Sequence, residues 1–392
     1  MSKNILVINS GSSSIKFQLL DVTTKEVIIK GLAEELDSPL ARIKIKYDGQ
    51  SETEKMPDAD FETAIRRIFD ELDERGLKST VKAVGHRVVN GGEEIKESVL
   101  IDDQVLAAIE RATIYAPLHN PAQIAGIRAV KKVMPKLPQV AVFDTAFHQT
   151  MPARAYRYAV PIEWYKKYGV RRYGAHGTSY RFVSQTAAAM LGRKLTDSAF
   201  VVAHLGNGAS VAAVLNGKSV DTSMGFTPLE GVVMGTRSGN IDPAILPFMM
   251  ERLGKSAEDV LLILNKKSGL LGLSGLSSDQ RELEMAAAEG NEDAALALDI
   301  LTYSIAKQIA SMMVALPRVD ALVMTGGGGE MGIEFRENIV KSLAVFGYKL
   351  DPELNKKARG GEGVISVDGA PTVMVIRTNE ELMIAEDTAE LV

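Results

Sequence analysis

Apolar residues fall in short runs separated by clusters of Gly, Ser, Asn and Pro, and the period of the pattern changes along the chain. Residues 5–9 are apolar, 10–14 are small and polar, and 15–20 are apolar again, which reads as a β-hairpin. Further strands are expected over 27–32 and 41–47. The period then becomes helical over 61–74, with Phe61, Ile65, Ile68, Phe69 and Leu72 on one face. A short strand over 81–84 runs into Gly85-His86-Arg87, helices follow over 103–112 and 121–133, and a buried strand over 139–143 ends at Asp144. The pattern then restarts. A strand over 200–204, a small-residue turn over 205–209 and a return strand over 210–215 repeat the opening hairpin in order, length and turn composition. Helices over 243–252, 257–265, 279–289 and 293–316, a strand over 321–325 and a glycine turn over 326–329 complete the second half. Two hairpin starts, each followed by strands and helices, argue for a duplicated α/β unit. The boundary is expected between 144 and 155, where Met151-Pro152 interrupts the pattern.

Length agrees with this division, since 392 residues at about 150 per domain suggests two or three domains. Hydrophobic residues at 46% and charged residues at 24% are ordinary for a globular chain and exclude disordered and fibrous classes. A formal net charge of −5 gives no general pull toward nucleic acid or an anionic membrane. The absence of cysteine removes disulfides, thiol nucleophiles, cysteine-zinc sites and iron–sulfur clusters together. The first residues lack the apolar core of a signal peptide, and no apolar run approaches the roughly 20 residues of a membrane span. A soluble, cytoplasmic protein is expected, with small-molecule substrates and neither nucleic acid nor membrane as partner.

Several short segments could carry chemistry. Asn9-Ser10-Gly11-Ser12-Ser13-Ser14, with Lys16 beyond, could turn backbone amides and hydroxyls toward a phosphate, and Asn9 offers an amide oxygen to Mg²⁺. It is equally the sequence of a plain polar turn, and it is not a GxxxxGK[ST] phosphate loop. His204-Leu205-Gly206-Asn207-Gly208-Ala209-Ser210 reads as a second turn of the same kind, with Asn-Gly at its tip. Arg87 in Gly85-His86-Arg87 and Arg237 in Gly235-Thr236-Arg237-Ser238-Gly239 lie in segments without helical period, and a guanidinium fork matches the oxygens of a phosphoryl group; Asp279-Gln280-Arg281 is a weaker instance. The five histidines, His86, His119, His148, His176 and His204, occupy connections or strand ends, and none has zinc-helix spacing. Gly326-Gly327-Gly328-Gly329-Glu330 permits close backbone approach to a ligand. Its fit to a dinucleotide GxGxxG motif is poor, because no strand with an acidic end follows at the right distance. Thr378-Asn379-Glu380-Glu381 reads as a helix start capped by Asn379 or Thr378.

In this order and spacing, the segments resemble the acetate kinase family over essentially the whole chain. The most specific marks are Val7-Ile8-Asn9-Ser10-Gly11-Ser12-Ser13-Ser14 and Asp221-Thr222-Ser223-Met224-Gly225-Phe226-Thr227-Pro228-Leu229-Glu230-Gly231. The family belongs to the superfamily of sugar kinases, heat-shock chaperone ATPases and actin. The resemblance therefore implies an α/β fold of two duplicated RNase-H-like domains with nucleotide in the cleft between them. These would be residues 1–148, joined by a C-terminal helix at about 382–392, and residues 149–381, with the nucleotide site and dimer surface. It implies reversible, Mg²⁺-dependent (or Mn²⁺-dependent) in-line phosphoryl transfer from ATP to acetate, giving ADP and acetyl phosphate, by a homodimer. By motif, Asn9 and Glu380 would position the metal. Lys16, His204, Leu205, Gly206, Asn207, Gly208, Asp279, Gln280, Arg281, Gly327, Gly328, Gly329, Glu330 and Met331 would surround the nucleotide. Asp144, His176, Arg237 and Arg87 would be catalytic. Arg87 with Val89, Leu118, His119, Ala175 and Pro228 would hold the acyl substrate.

The chain departs from the family pattern at informative places. Ala175 and Tyr180 stand where Phe and His are usual, Gly328 and Met331 alter the adenosine loop, and Arg377 replaces a proline. Ala175 for Phe should widen the acyl pocket, so propionate is expected to be accepted better than by a typical relative, with Val89 still limiting it. Competing expectations are a propionate kinase or broader short-chain acyl kinase, a pyrophosphate-dependent variant, and a nucleotide-gated binding protein of the same superfamily. The last predicts a peptide-binding appendage for which the chain has no residues left over.

Overall fold

The computed structural model describes residues 3–392. The chain divides into two compact units, Met1–Gln149 with Asn379–Val392, and Thr150–Thr378. In the first unit the strands are β1 (Asn4–Gly11), β2 (Ser14–Asp21), β3 (Glu26–Glu34), β4 (Arg42–Tyr47), β5 (Gln50–Lys55), β6 (Val81–Val88), β7 (Val99–Leu100) and β8 (Gln139–Phe143). They form one sheet in the order β5-β4-β3-β2-β1-β6-β8-β7. In the second unit β9 (Ala199–Leu205), β10 (Ala209–Leu215), β11 (Lys218–Thr222), β12 (Ala321–Thr325), β13 (Gly363–Val364) and β14 (Val373–Val375) run β11-β10-β9-β12-β14-β13. In each unit antiparallel strands come first, β1–β5 and β9–β11, and two later strands extend the sheet in parallel beyond the first strand, β6 beside β1 and β8 beside β6, β12 beside β9 and β14 beside β12. This is the duplicated RNase-H-like α/β fold.

The opening hairpin is tighter than its composition suggests. The strands run on through Ser10-Gly11 and resume at Ser14, so that only Ser12 and Ser13 turn, and Asn9 pairs with Lys16. The short strand expected over 81–84 likewise continues to Val88, so Gly85-His86-Arg87 lies within β6. The expected glycine turn after β12 is instead a helix, Gly326–Met331, entered through Gly326 at φ +76. Tertiary contact overrides glycine's poor helix propensity here: Arg336, which is fully buried, donates to the carbonyls of Gly329 at 2.9 Å and Glu330 at 3.1 Å, fixing the end of the helix. The helix Gly177–Met190 has no counterpart in the expected elements, because its first residues, Gly177-Thr178-Ser179, read as a turn. β5 is exposed along its whole length and so carries no apolar signal.

In the first unit the helices Phe61–Glu74 and Asn120–Val133 cover one sheet face. Ile65, Ile68, Leu72 and Val130 share a core with Leu6, Ile8, Phe17 and Val84. Successive strand residues face opposite ways, so Gly85, next to Val84, faces the other side. There it meets the helix Glu380–Leu391: a Cβ on Gly85 would lie 2.4 Å from Thr388 Oγ1 and 2.8 Å from Ile384 Cγ2. In the second unit the helix Glu292–Met313 buries Ala297, Leu301, Ile305 and Ile309 against Val201, Ala203, Val211 and Met324.

The close approach at Gly85 generates an expectation. Gly85→Ala overpacks the seat of the terminal helix and should lower unfolding stability by about 1–3 kcal/mol, read as a reduced urea midpoint.

Candidate active site

The first unit gathers its charged groups at the ends of β1, β6 and β8. Arg87, the next-to-last residue of β6, reaches Asp144, which directly follows β8. Nη2 donates to Asp144 Oδ2 at 2.6 Å, and Nε lies 3.2 Å from both carboxylate oxygens. Asp144 is buried, and its backbone amide donates to the Val88 carbonyl at 2.9 Å. Burial opposes the charge of Arg87, but Asp144 and Glu380 together outweigh it and hold the guanidinium more firmly protonated than usual. The loop after β6 is fixed from beneath. Gln123 Oε1 accepts from the Val89 amide at 2.9 Å, and Asn120 exchanges hydrogen bonds with both the amide and the carbonyl of Asn90. Val89 is buried, Leu118 is exposed, and His119 begins the helix Asn120–Val133.

Asn9 is the cross-strand partner of Lys16, and Lys16 forms an ion pair with Glu381. Asn379 caps the helix that starts at Glu380 by accepting from the Leu382 amide at 3.1 Å. Glu380 Oε1 is buried with no hydrogen-bond partner. Burial is the main cause of a raised Glu380 pKa; Arg87 and Lys16 oppose it and Glu381 reinforces it. Asn9 and Glu380 supply hard oxygen donors, and an unpartnered buried carboxylate oxygen is what a Mg²⁺ site leaves behind in the protein, so the pair fits that ion. Among the described residues no group of three or more His, Cys, Asp and Glu side chains could hold a metal by itself.

His86, which neighbours Arg87 on the strand, has a different part. It is buried, 2.7 Å from Gln139 Oε1, and burial pushes its pKa down to about 4 against a partial opposing effect of that hydrogen bond. It is a neutral core residue.

In the second unit the histidines converge. His176 takes the left-handed conformation at φ +59 and ψ +20, at the start of the helix Gly177–Met190. Such a conformation costs on the order of 1–3 kcal/mol for a non-glycine residue and collects at functional sites. Its ring stacks on that of His204 with centroids 4.2 Å apart. Each ring is oriented through Nδ1: His176 lies 2.8 Å from Ser210 Oγ, and His204 lies 2.9 Å from Ser179 Oγ. Ser210 also meets the buried Tyr180 hydroxyl at 2.5 Å, and Ser179 meets Thr378 Oγ1 at 2.7 Å.

The Gly206-Asn207-Gly208 tip joins this pair to Arg237. A Cβ on Gly208 would stand 3.7 Å from both His176 Nε2 and Arg237 Nη1. Asn207 accepts from the Gly235 amide through its carbonyl at 3.1 Å, and its side chain fills the space a Gly235 Cβ would need. Arg237 Nη1 donates to the Pro228 carbonyl at 3.0 Å. A guanidinium and an imidazole thus face the bare backbone of a hairpin tip, which suits the oxygens of a phosphoryl group. Ala175, beside His176, is buried in the core of the unit.

A cavity of about 600 Å³ opens in the same unit. Leu205, Gly206, Asn207, Asp279, Gln280, Arg281, Gly327, Gly328 and Met331, which the resemblance assigns to a nucleotide, line it. His204, Gly208, Gly329 and Glu330 do not, and Lys16 belongs to the other unit. Glu330 Oε1 instead accepts from the amides of Gly326 at 3.0 Å and Thr378 at 3.2 Å. Asp279 caps the helix Gln280–Ala288 and pairs with Arg281 at 2.7 Å, which lowers the Asp279 pKa. Gln280 Nε2 donates to Glu284 Oε1 at 2.7 Å. Sequence reasoning missed the apolar wall of Leu270, Leu301, Ile305 and Phe335, and missed Arg359. Leu301 and Ile305 were detectable through their one-turn spacing on a recognised helix; Arg359 had no local signal.

The buried His86 sets a pH dependence. Its folded pKa lies below the ordinary 6.5, so its contribution is present above pH 6.5 and is lost as pH falls toward 4. Between those values stability should fall by on the order of 3 kcal/mol, and His86→Gln should flatten that part of the urea-stability profile.

The comparisons with known proteins cover the whole chain. Residues 4–386 match the acetokinase family. An acetate kinase of Deinococcus radiodurans is 52% identical over 99% of this chain and 98% of its own, and one of Bacillus subtilis is 49% identical over 100% of both. Among solved structures, a propionate kinase from Francisella tularensis superposes with a TM-score of 0.96 at 44% identity, and the Porphyromonas gingivalis acetate kinase with 0.93 at 43%, each covering 100% of both chains. The hairpins, the paired histidines and the two arginines thus sit in a chain that belongs to the acetokinase family.

Proposed function

We propose that this protein is an acetate kinase, catalysing reversible transfer of the ATP γ-phosphoryl group to acetate. The observation that carries the reading is the convergence of His176 Nε2 and Arg237 Nη1 on Gly208, in the unit that contains the 600 Å³ cavity. The acetate oxygen forms a bond to phosphorus as the bond to the ADP oxygen breaks. A carboxylate is already a nucleophile, so no proton is removed. The barrier lies in bringing anions together and in the charge on the phosphoryl in transit, and oriented cationic and hydrogen-bonding groups lower it.

Arg87 receives the acetate carboxylate, and Asp144 acts as its organiser, a role supported by the ion pair between them. His176 and Arg237 stabilise the phosphoryl group. The residues lining the cavity hold the nucleotide, with Gln280 oriented by Glu284. Asn9 and Glu380 would hold Mg²⁺, which supplies neutralisation of phosphate charge when bound. The small side chain at Ala175 supports acceptance of propionate alongside acetate. The proposal includes a homodimer formed through the second unit. There the helix Ile245–Leu253 has no buried residue, and Ile245, Phe248, Leu261 and Leu262 are exposed on it and the following helix.

Acyl-hydroxamate formation with Mg-ATP tests the reaction. Wild type should form acetyl hydroxamate, and Arg237→Ala should lower kcat a hundredfold or more; Ala175→Phe should lower the propionate-to-acetate ratio of kcat/KM. Product formation unaffected by loss of Arg237 would remove the phosphoryl assignment. For assembly, sedimentation should give twice the chain mass, and Phe248→Glu should shift it toward the monomer.

A further inference from the structure

A half-buried polar cluster lies one step behind the proposed phosphoryl groups. Glu230 accepts from Arg172 Nη2 at 2.6 Å through Oε1, while Oε2 takes the Tyr158 hydroxyl. Arg172 also donates through Nη1 to the carbonyls of Ser223 at 3.0 Å and Met224 at 2.9 Å. Tyr158 in turn accepts from the Phe226 amide at 2.8 Å. The carboxylate and the phenol press on the backbone between them: a Cβ on Gly225 would lie 1.7 Å from Glu230 Oε2 and 2.2 Å from the Tyr158 hydroxyl. The Gly225 carbonyl accepts from the amides of Tyr173 at 3.0 Å and Gly174 at 3.2 Å, just ahead of Ala175 and His176. From the same loop the Pro228 carbonyl holds Arg237 Nη1. Three side chains distant in sequence therefore fix one loop, and that loop touches both sides of the proposed phosphoryl site.

Burial, against an opposing effect of Arg172 and with reinforcement from Glu230, raises the Tyr158 pKa, so the phenol stays protonated and donates. Burial opposes the charge on Arg172, but Glu230 more than restores it. A charge-assisted pair of this kind, with Nη1 of the arginine also held by two carbonyls, locks geometry more than it adds stability.

We propose that Glu230 is a positioning residue for phosphoryl transfer: with Arg172 and Tyr158 it sets the loop Gly225–Pro228 and through it the placement of Arg237 and His176. The inference rests on the kinase reading above. Glu230 touches neither substrate; it acts through the Pro228 and Gly225 carbonyls.

The test is kinetic. Glu230→Gln should lower kcat tenfold or more while leaving the ATP KM within twofold. Gly225→Ala, which displaces the same contacts without changing charge, should reproduce the loss. If Glu230 acts through Arg237 and His176, the double variant Glu230→Gln with Arg237→Ala should be slowed by less than the product of the two single effects. A Glu230→Gln enzyme with wild-type kcat, or a double variant slowed by the product of the two single effects, would overturn the inference. Should Glu230→Gln fold poorly, Tyr158→Phe removes one arm only: a several-fold fall in kcat at unchanged melting temperature supports the inference, and unchanged kcat opposes it. A wild type that forms no acyl phosphate would instead defeat the kinase reading, so the two failures are distinguishable.

Discussion

Parallel pairing of later strands against the first strand of each hairpin is the constraint on which the rest depends. A parallel neighbour ends at the same edge of the sheet as the strand it joins, so β1, β6 and β8 finish together, as do β9, β12 and β14. Asn9, Arg87 and Asp144 lie at one such edge; His204, the helix Gly326–Met331 and Thr378 lie at the other. Ligand sites in open α/β sheets occur where strand carboxyl ends meet loops. Here that rule acts twice in one chain. The hairpin supplies a tip with little side chain, the parallel strands supply charged residues, and helices starting at the same edge supply amide-rich ends.

The chemistry at each edge follows from what is buried and what is paired. Arg87 and Asp144 form an ion pair with the carboxylate buried, so the arginine is held in place and remains charged. His86, one residue earlier on the same strand, faces a glutamine and a closed core, and becomes a neutral structural group. The alternation of a strand is enough to send adjacent polar residues to opposite fates. In the second unit the stacked His176 and His204 are each tied to a serine, and those serines to Tyr180 and Thr378, so ring orientation is decided by residues scattered along the chain.

Much of this was legible in the amino-acid sequence because the signals are local. The helix Phe61–Glu74 and the strands Gln139–Phe143 and Ala321–Thr325 have period, length and flanking turns that agree, and the duplicated hairpin is visible as a repeated string. Elements whose stability comes from elsewhere were not legible. The helix Gly326–Met331 depends on Arg336, and β5 depends on its neighbour β4 alone. The site residues that local chemistry marks, such as Arg87 and Arg237, could be singled out from Gly-flanked strings. Arg359, and the joining of Glu230 to Arg172 and Tyr158, could not, since their meaning comes only from folding distant segments together.

The terminal helix places an order on biosynthesis. Strands β1, β6 and β8 leave the ribosome early, yet the helix that covers Gly85 and brings Glu380 is made only after the whole of Thr150–Thr378. A nascent chain emerging at about 5–20 residues per second therefore exposes one apolar sheet face for the time needed to make the entire second unit. The unit that starts first is the one completed last.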